Sequence, residues 1–158
     1  MNTIIFIVCM VAVTVYLTVA AIEDYRTCEV TRWKHLIGFV PGLFYFVWNV
    51  GKFTWMDIGM VIGFAVIFVA AGLLGVYGLA DGFVLANLTF WYGGIAGAMG
   101  SGMVVVIMVL ASFSVLFYQL LKEGITWRKW KEDKGTAFIP HILMGYVTLC
   151  IVVGSTVV

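Results

Sequence analysis

The chemical resources of this chain are its eight carboxylic acids: Glu23, Asp24, Glu29, Asp57, Asp81, Glu123, Glu132 and Asp133. Six of them lie among basic residues and read as solvated loop charge, while Asp57 stands beside Trp55 and reads as an interfacial residue. Asp81 differs, because it interrupts a nearly continuous apolar stretch from Ile58 to Ala98 that contains no basic residue. An acid in or at the edge of a membrane without a local partner is costly, which makes it a functional candidate. Asp is also a favoured helix N-cap, and Asp81 is placed to start a helix in that way. If a second carboxyl joins it at a partly dry membrane face, the two do not both ionise easily. One keeps its proton and the other does not. That asymmetry is what aspartyl proteolysis needs: a carboxylate to take a proton from water and a carboxylic acid to polarise the scissile carbonyl. Acting alone, Asp81 suits the proton or cation site of a carrier.

Other reactive side chains offer less. The three cysteines, Cys9, Cys28 and Cys150, form no CxxC pair, so no thiolate zinc site can be built. Cys9 and Cys150 lie in apolar runs and read as packing residues; Cys28 lies in a polar loop. His35 and His141 fall at the ends of apolar segments and read as interfacial polar residues. No His and Cys cluster has ligand spacing, so the expectation is an activity independent of metal and cofactor. The segment from Thr126 to Lys131 mixes Trp with Arg and Lys, a composition suited to lipid headgroups.

The elements that position these residues follow from composition. Of 158 residues, 63% are apolar and only 11% charged. A globule this small cannot hide that much apolar surface from water. This excludes an ordinary soluble domain, a disordered chain and a nucleic-acid binder, and points to an all-α polytopic membrane protein. Six apolar segments can be marked: Thr3 to Ile22, Leu36 to Val50, Ile58 to Ala80, Gly82 to Ala98, Met103 to Leu121 and Thr136 to Val158, with Gly97 to Gly102 as the hinge between the fourth and fifth. The expected architecture is one domain, residues 1–158, a bundle of six transmembrane helices. Loops one, three and five then hold Arg26, Arg32, Lys34, Lys122, Arg128, Lys129, Lys131 and Lys134, while loops two and four hold only Lys52. Such a split places the odd loops in the cytoplasm and both termini outside. The basic residues follow the first apolar run rather than precede it, which favours a retained helix over a cleaved signal.

This topology limits the partners of Asp81. Asp57 falls on the opposite face. Glu23 and Asp24 close the first span on the same side and at the same depth. Adjacent helical positions point about 100° apart, so one of the two faces the interior. Spacing does not say which.

A resemblance does. Glu23-Asp24-Tyr25-Arg26-Thr27-Cys28-Glu29-Val30 after the first span and Gly78-Leu79-Ala80-Asp81 after the third resemble the two active-site motifs of the type IV prepilin peptidases, including the archaeal preflagellin peptidases. That family has an aspartate followed by Arg and an aliphatic residue after one span, and a GxGD motif at the start of a later one. The layout extends the likeness along the chain, including Pro140 and Gly145 in the last span. The resemblance selects Asp24 over Glu23 as the partner of Asp81, with Gly78, Ala80 and Arg26 as supporting positions. It implies cleavage of short basic leaders from pilin-like precursors at the cytoplasmic face of the cell membrane, without a metal. The departures are Ala80 for a glycine, Phe83 where Lys is frequent, and Val30-Thr31-Arg32 in place of Ile-Pro-Asn. The amino-terminal cysteine-bearing extension with methyltransferase activity is absent, so N-methylation is not expected.

The expected function is therefore a membrane-embedded aspartyl endopeptidase with Asp24 and Asp81 as its pair. Its expected partners are membrane lipids and precursors carrying a basic leader and an apolar helix. The alternatives are a non-catalytic membrane scaffold and a small ion-coupled carrier using Asp81. A carrier site is ordinarily near the midplane between repeated halves, and no repeat is visible here.

Overall fold

A computed structural model describes residues 3–27, 30, 32–123 and 137–157, and within them the fold is all-α. Its helices are α1, Thr3–Thr27; α2, Arg32–Asn49; α3, Trp55–Leu73; α4, Leu79–Glu123; and α5, Ile139–Val157, with a short 3-10 turn at Val50–Lys52. Three helical stretches are long and apolar enough to cross a membrane: Thr3–Thr27, Trp55–Leu73 and Leu79–Tyr118. The outward surface is the inverse of a soluble protein's. On α1 the exposed stripe is Ile4, Val8, Val11, Val15, Val19 and Ile22, and the buried stripe carries Tyr16 and Asp24 among its apolar residues. Both stripes repeat at helical spacing. An exposed face this apolar is compatible with a chain that lies in lipid.

The elements depart from the apolar segments at three places, each with a local cause. First, α1 continues past Ile22 to Thr27, so Glu23 and Asp24 stand in its last turns rather than in a loop. Second, α3 does not run to Ala80. It stops at Leu73, where Gly75 takes φ +74° and the N–H groups of Gly75 and Val76 donate to the carbonyls of Gly72 and Ala71, at 3.1 and 3.0 Å. That is a Schellman stop, in which a left-handed glycine closes the orphan carbonyls of the last turn. Third, α4 breaks at Ala96 and Gly97, and residues 98–102, expected in the hinge, are already helical. The two arms of α4, 79–95 and 98–123, double back on each other: a Cβ on Gly100 would collide with the carbonyl of Tyr92. Eight residues of unbroken helix would separate those positions by about 12 Å.

Asp57 organises this far end. Its Oδ2 accepts from Thr54 N–H at 3.1 Å and Thr54 Oγ1 accepts from Asp57 N–H at 3.2 Å, a capping box for α3. Its Oδ1 accepts from Ala98 N–H at 3.1 Å, pinning the break in α4 to the start of α3. It is thus a structural tie rather than a simple interfacial charge.

Interhelical contacts fix the directions. Tyr16 bonds His35, Thr14 bonds Tyr146, Asp24 bonds Ile139, and Gly82 closes on the carbonyl of Phe68. The C-terminal ends of α1 and α3 and the N-terminal ends of α2, α4 and α5 therefore share one end of the bundle. The second arm of α4 returns there, where Ser114 meets His141. The core between the helices is built on Trp91, Tyr45, Leu17, Leu85, Leu88 and Ile107. Arg26, Arg32, Lys34 and Lys122 stand toward the shared end and Lys52 at the opposite one. Arg128, Lys129, Lys131 and Lys134 lie outside the described residues, as do Cys28, Glu29, Thr31, Glu132, Asp133 and the segment from Thr126 to Lys131.

Candidate functional site

Asp81 is held by the start of its own helix. Gly78 precedes Leu79, the first residue of α4, and its N–H donates to Asp81 Oδ2 at 3.1 Å. Asp81 therefore sits three residues past the cap and reaches back to it, which is one half of a capping box. It does not occupy the cap itself. A Cβ on Gly78 would stand 2.8 Å from that same oxygen, so the glycine is what lets the carboxyl lie across the helix start. Tyr77 fixes the turn from the other side, donating its hydroxyl hydrogen to the carbonyl of Phe68 at 2.6 Å. Ala80 is partly buried against the core.

Asp24 comes from α1 but is held by α5. Its Oδ2 accepts from Ile139 N–H at 3.0 Å, and the carboxyl also accepts from the N–H of Phe138. The residue after Ile139 is Pro140, which has no N–H, so these two donors face the carboxyl at a helix start with no proline-supplied competitor. Asp24 thus caps α5 in trans. Free N–H groups and the positive end of the helix dipole both favour a negative charge at this place.

The two acids are brought together. Asp24 is 6% exposed and Asp81 7%, and their carboxyls are close enough to act on one another electrostatically. Glu23 turns the other way, to Lys34 Nζ at 2.8 Å on the partly exposed α1–α2 surface. Of the two acids left open by spacing, Asp24 is the buried one whose charge acts on Asp81, while Glu23 pairs with Lys34. Arg26 is exposed and outside this cluster. Asp57 is at the opposite end, as expected.

Both histidines lie at the same end as the acids, and neither is a plain interfacial residue. His35 is buried, its Nδ1 2.9 Å from Tyr16 Oη and its ring stacked on Phe83 at 5.5 Å. His141 Nδ1 lies 2.6 Å from Ser114 Oγ, and the imidazole interacts electrostatically with Asp24. The backbone donors of Phe138 and Ile139 and the hydroxyl of Ser114 were not visible as site groups in the sequence. A Phe-Ile-Pro-His run is the only signal, since a helix start after a polar loop exposes donors. Among the described residues no group of three or more His, Cys, Asp or Glu is placed to hold a metal ion.

No family model, curated protein or solved structure matches this chain.

Proposed function

We propose that the chain is a membrane-embedded aspartyl endopeptidase of the prepilin-peptidase kind, cutting short basic leaders from pilin-like precursors at the cytoplasmic face. One observation carries the reading: two buried carboxyls from separate helices meet at one end of an apolar bundle, each steadied by backbone N–H groups at a helix start. In the mechanism, Asp24 is the carboxylate and Asp81 the acid, because Asp24 accepts two backbone donors and Asp81 one. Asp24 takes a proton from water as the water oxygen attacks the scissile carbonyl carbon. Asp81 gives its proton to the carbonyl oxygen. Collapse of the tetrahedral intermediate breaks the C–N bond; the proton on Asp24 goes to the leaving amine and Asp81 recovers its own. No metal enters these steps.

The reading includes a topology. The two arms of α4 and the other four helices make six crossings, and the basic residues put the acidic pair in the cytoplasmic leaflet. The substrate's apolar helix then stays in lipid while its leader reaches the pair. The test is cleavage of a prepilin panel by purified protein in liposomes. Asp24→Asn and Asp81→Asn should each lower cleavage about a thousandfold or more, and the double variant should be little worse, since the two act as a unit. Glu23→Gln should retain substantial activity. Near wild-type cutting by Asp81→Asn ends this reading.

A second reading has an observation of its own. His35 Nε2, Tyr45 Oη and the side-chain amide of Asn87 are buried without hydrogen-bond partners among the described residues, and all lie along the contact of α2 with the first arm of α4. Polar groups of this kind inside a membrane bundle suit a proton path, as in a carrier using Asp81. Proton flux in liposomes lost with Asp81→Asn, in a protein that cuts no leader, would select it.

A further inference from the structure

The outer face of the α1–α2 pair carries a groove of about 760 Å³, walled by α1 from Val8 to Val19 and by α2 from Lys34 to Phe44. The ring of Tyr16 lies in it, with the hydroxyl turned inward to His35 Nδ1 at 2.9 Å. A Cβ on Gly38 would collide with that ring, so the glycine lets it lie low between the helices, and the short side chain of Ala12 keeps the α1 wall open. Lys34 to Phe44 is ten helical steps, about 15 Å, or half the hydrocarbon thickness. The groove therefore has the depth of one leaflet, and a helix that crosses the bilayer would overrun it. Lys34 marks its rim, at the end of the bundle that carries the acids. Arg26 stands seven positions past Val19 and eleven past Val15, within about 20° of both around the axis, so it continues the α1 wall at that rim. Lys34 Nζ pairs with Glu23 at 2.8 Å. Arg26, Lys34 and Glu23 together leave the rim with an excess of positive charge among the described side chains.

We infer that this groove seats one anionic phospholipid of the leaflet on the acid-bearing side, with an acyl chain along the α1 and α2 walls and the phosphate at Arg26 and Lys34. The inference needs the bundle to lie in lipid and does not rest on the protease reading. Lipid tails are as apolar as the walls, so the tail gains fit rather than a hydrophobic drive, and the preference for one lipid comes from its headgroup. A phosphate takes charge-assisted hydrogen bonds from both a guanidinium and an ammonium. The same cations disfavour a basic leader at this rim, as the short groove disfavours the helix that follows such a leader. Glu23 tempers the site, because its carboxylate shares Lys34 with the phosphate.

The test is native mass spectrometry of the purified full chain in detergent, titrated with phosphatidylglycerol or phosphatidylcholine. One phosphatidylglycerol per protein should be retained, about fivefold or more tightly than phosphatidylcholine. Arg26→Gln should weaken its binding about fivefold, and Glu23→Gln should tighten it by about the same factor. Lys52→Gln, at the opposite end, should change neither lipid. Ala12→Trp fills the groove without altering charge and should remove the retained lipid; Val15→Trp gives the same decision if that variant does not fold. Glycerol phosphate, a headgroup without tails, should not compete, and competition by it would mean a phosphate site and end the lipid assignment. Equal retention of the two lipids, or an unchanged affinity in Arg26→Gln, overturns the inference. So does full retention in the groove-filled variant: loss of precursor binding there would assign the groove to the substrate's helix, and loss of a dimer would assign it to a second copy of the chain.

Discussion

Gly78 shows how narrowly the site is drawn at the scale of single residues. Its missing Cβ is the space in which Asp81 Oδ2 lies. Gly78→Ala should push the carboxyl off the helix start and lower cleavage about tenfold or more, with little change in the unfolding temperature, because misplacing a reacting group costs rate rather than fold. Cleavage assays beside thermal unfolding in detergent check this. Retained full activity would mean that the Gly78 contact does not set the position of Asp81. Asp81 was legible in the sequence because an acid inside so long an apolar stretch is costly, whether it caps a helix or does chemistry. From spacing alone the partner of Asp81 was a choice of two, since one helical step separates Glu23 from Asp24, and the motif resemblance selected Asp24. The group that holds Asp24, an N–H of Ile139, is a backbone donor that every residue but proline carries and no sequence advertises. His141 was legible as a polar residue at the end of an apolar segment, but its contact with Ser114 was not, because Ser114 lies on another helix.

Asp57 belongs to the scale of elements, where one carboxylate joins two helices. Its oxygens serve separate tasks, one capping α3 and one holding Ala98 past the break in α4. Asp57→Ala should therefore cost more than the loss of a single cap, read as a lowered unfolding midpoint in detergent. The folded fraction should still cleave, because the acidic pair is at the other end. Gly97→Ala should destabilise by about 1 to 2 kcal/mol, since φ there is +57° and the new Cβ would approach Asp57 Oδ1 at 2.9 Å. A loss in Gly97→Ala no larger than in Gly102→Ala, where a Cβ meets open space, would show that the break does not depend on that glycine. The Thr54-to-Asp57 spacing is a capping-box signature readable from sequence. The exact end of the fourth apolar run was not readable, because Gly100, Ser101 and Gly102 crowd the stretch after Gly97 and the deciding contact comes from Asp57, forty-one positions before Ala98.

For the whole molecule, composition carried the all-α class, and three of the described helical stretches are long and apolar enough to cross a membrane. Element count was harder, because α4 is one helical run by hydrogen bonding and two rods by direction. The proposed orientation has a direct check: in intact cells an impermeant thiol reagent should label a cysteine placed at Lys52 and should reach Cys28 only after the membrane is opened. The reverse pattern would put the acidic pair on the wrong side for a cytoplasmic leader. The trans cap on Asp24 has one more consequence, which concerns the order of synthesis. Asp24 and Asp81 are both translated before Phe138 and Ile139 exist. A nascent chain that has inserted α1 to α4 therefore holds two acids and lacks the donors that fix one of them. The donors that fix Asp24 arrive only with the final described helix, so the growing polypeptide carries both acids before either arm of that cap is in place.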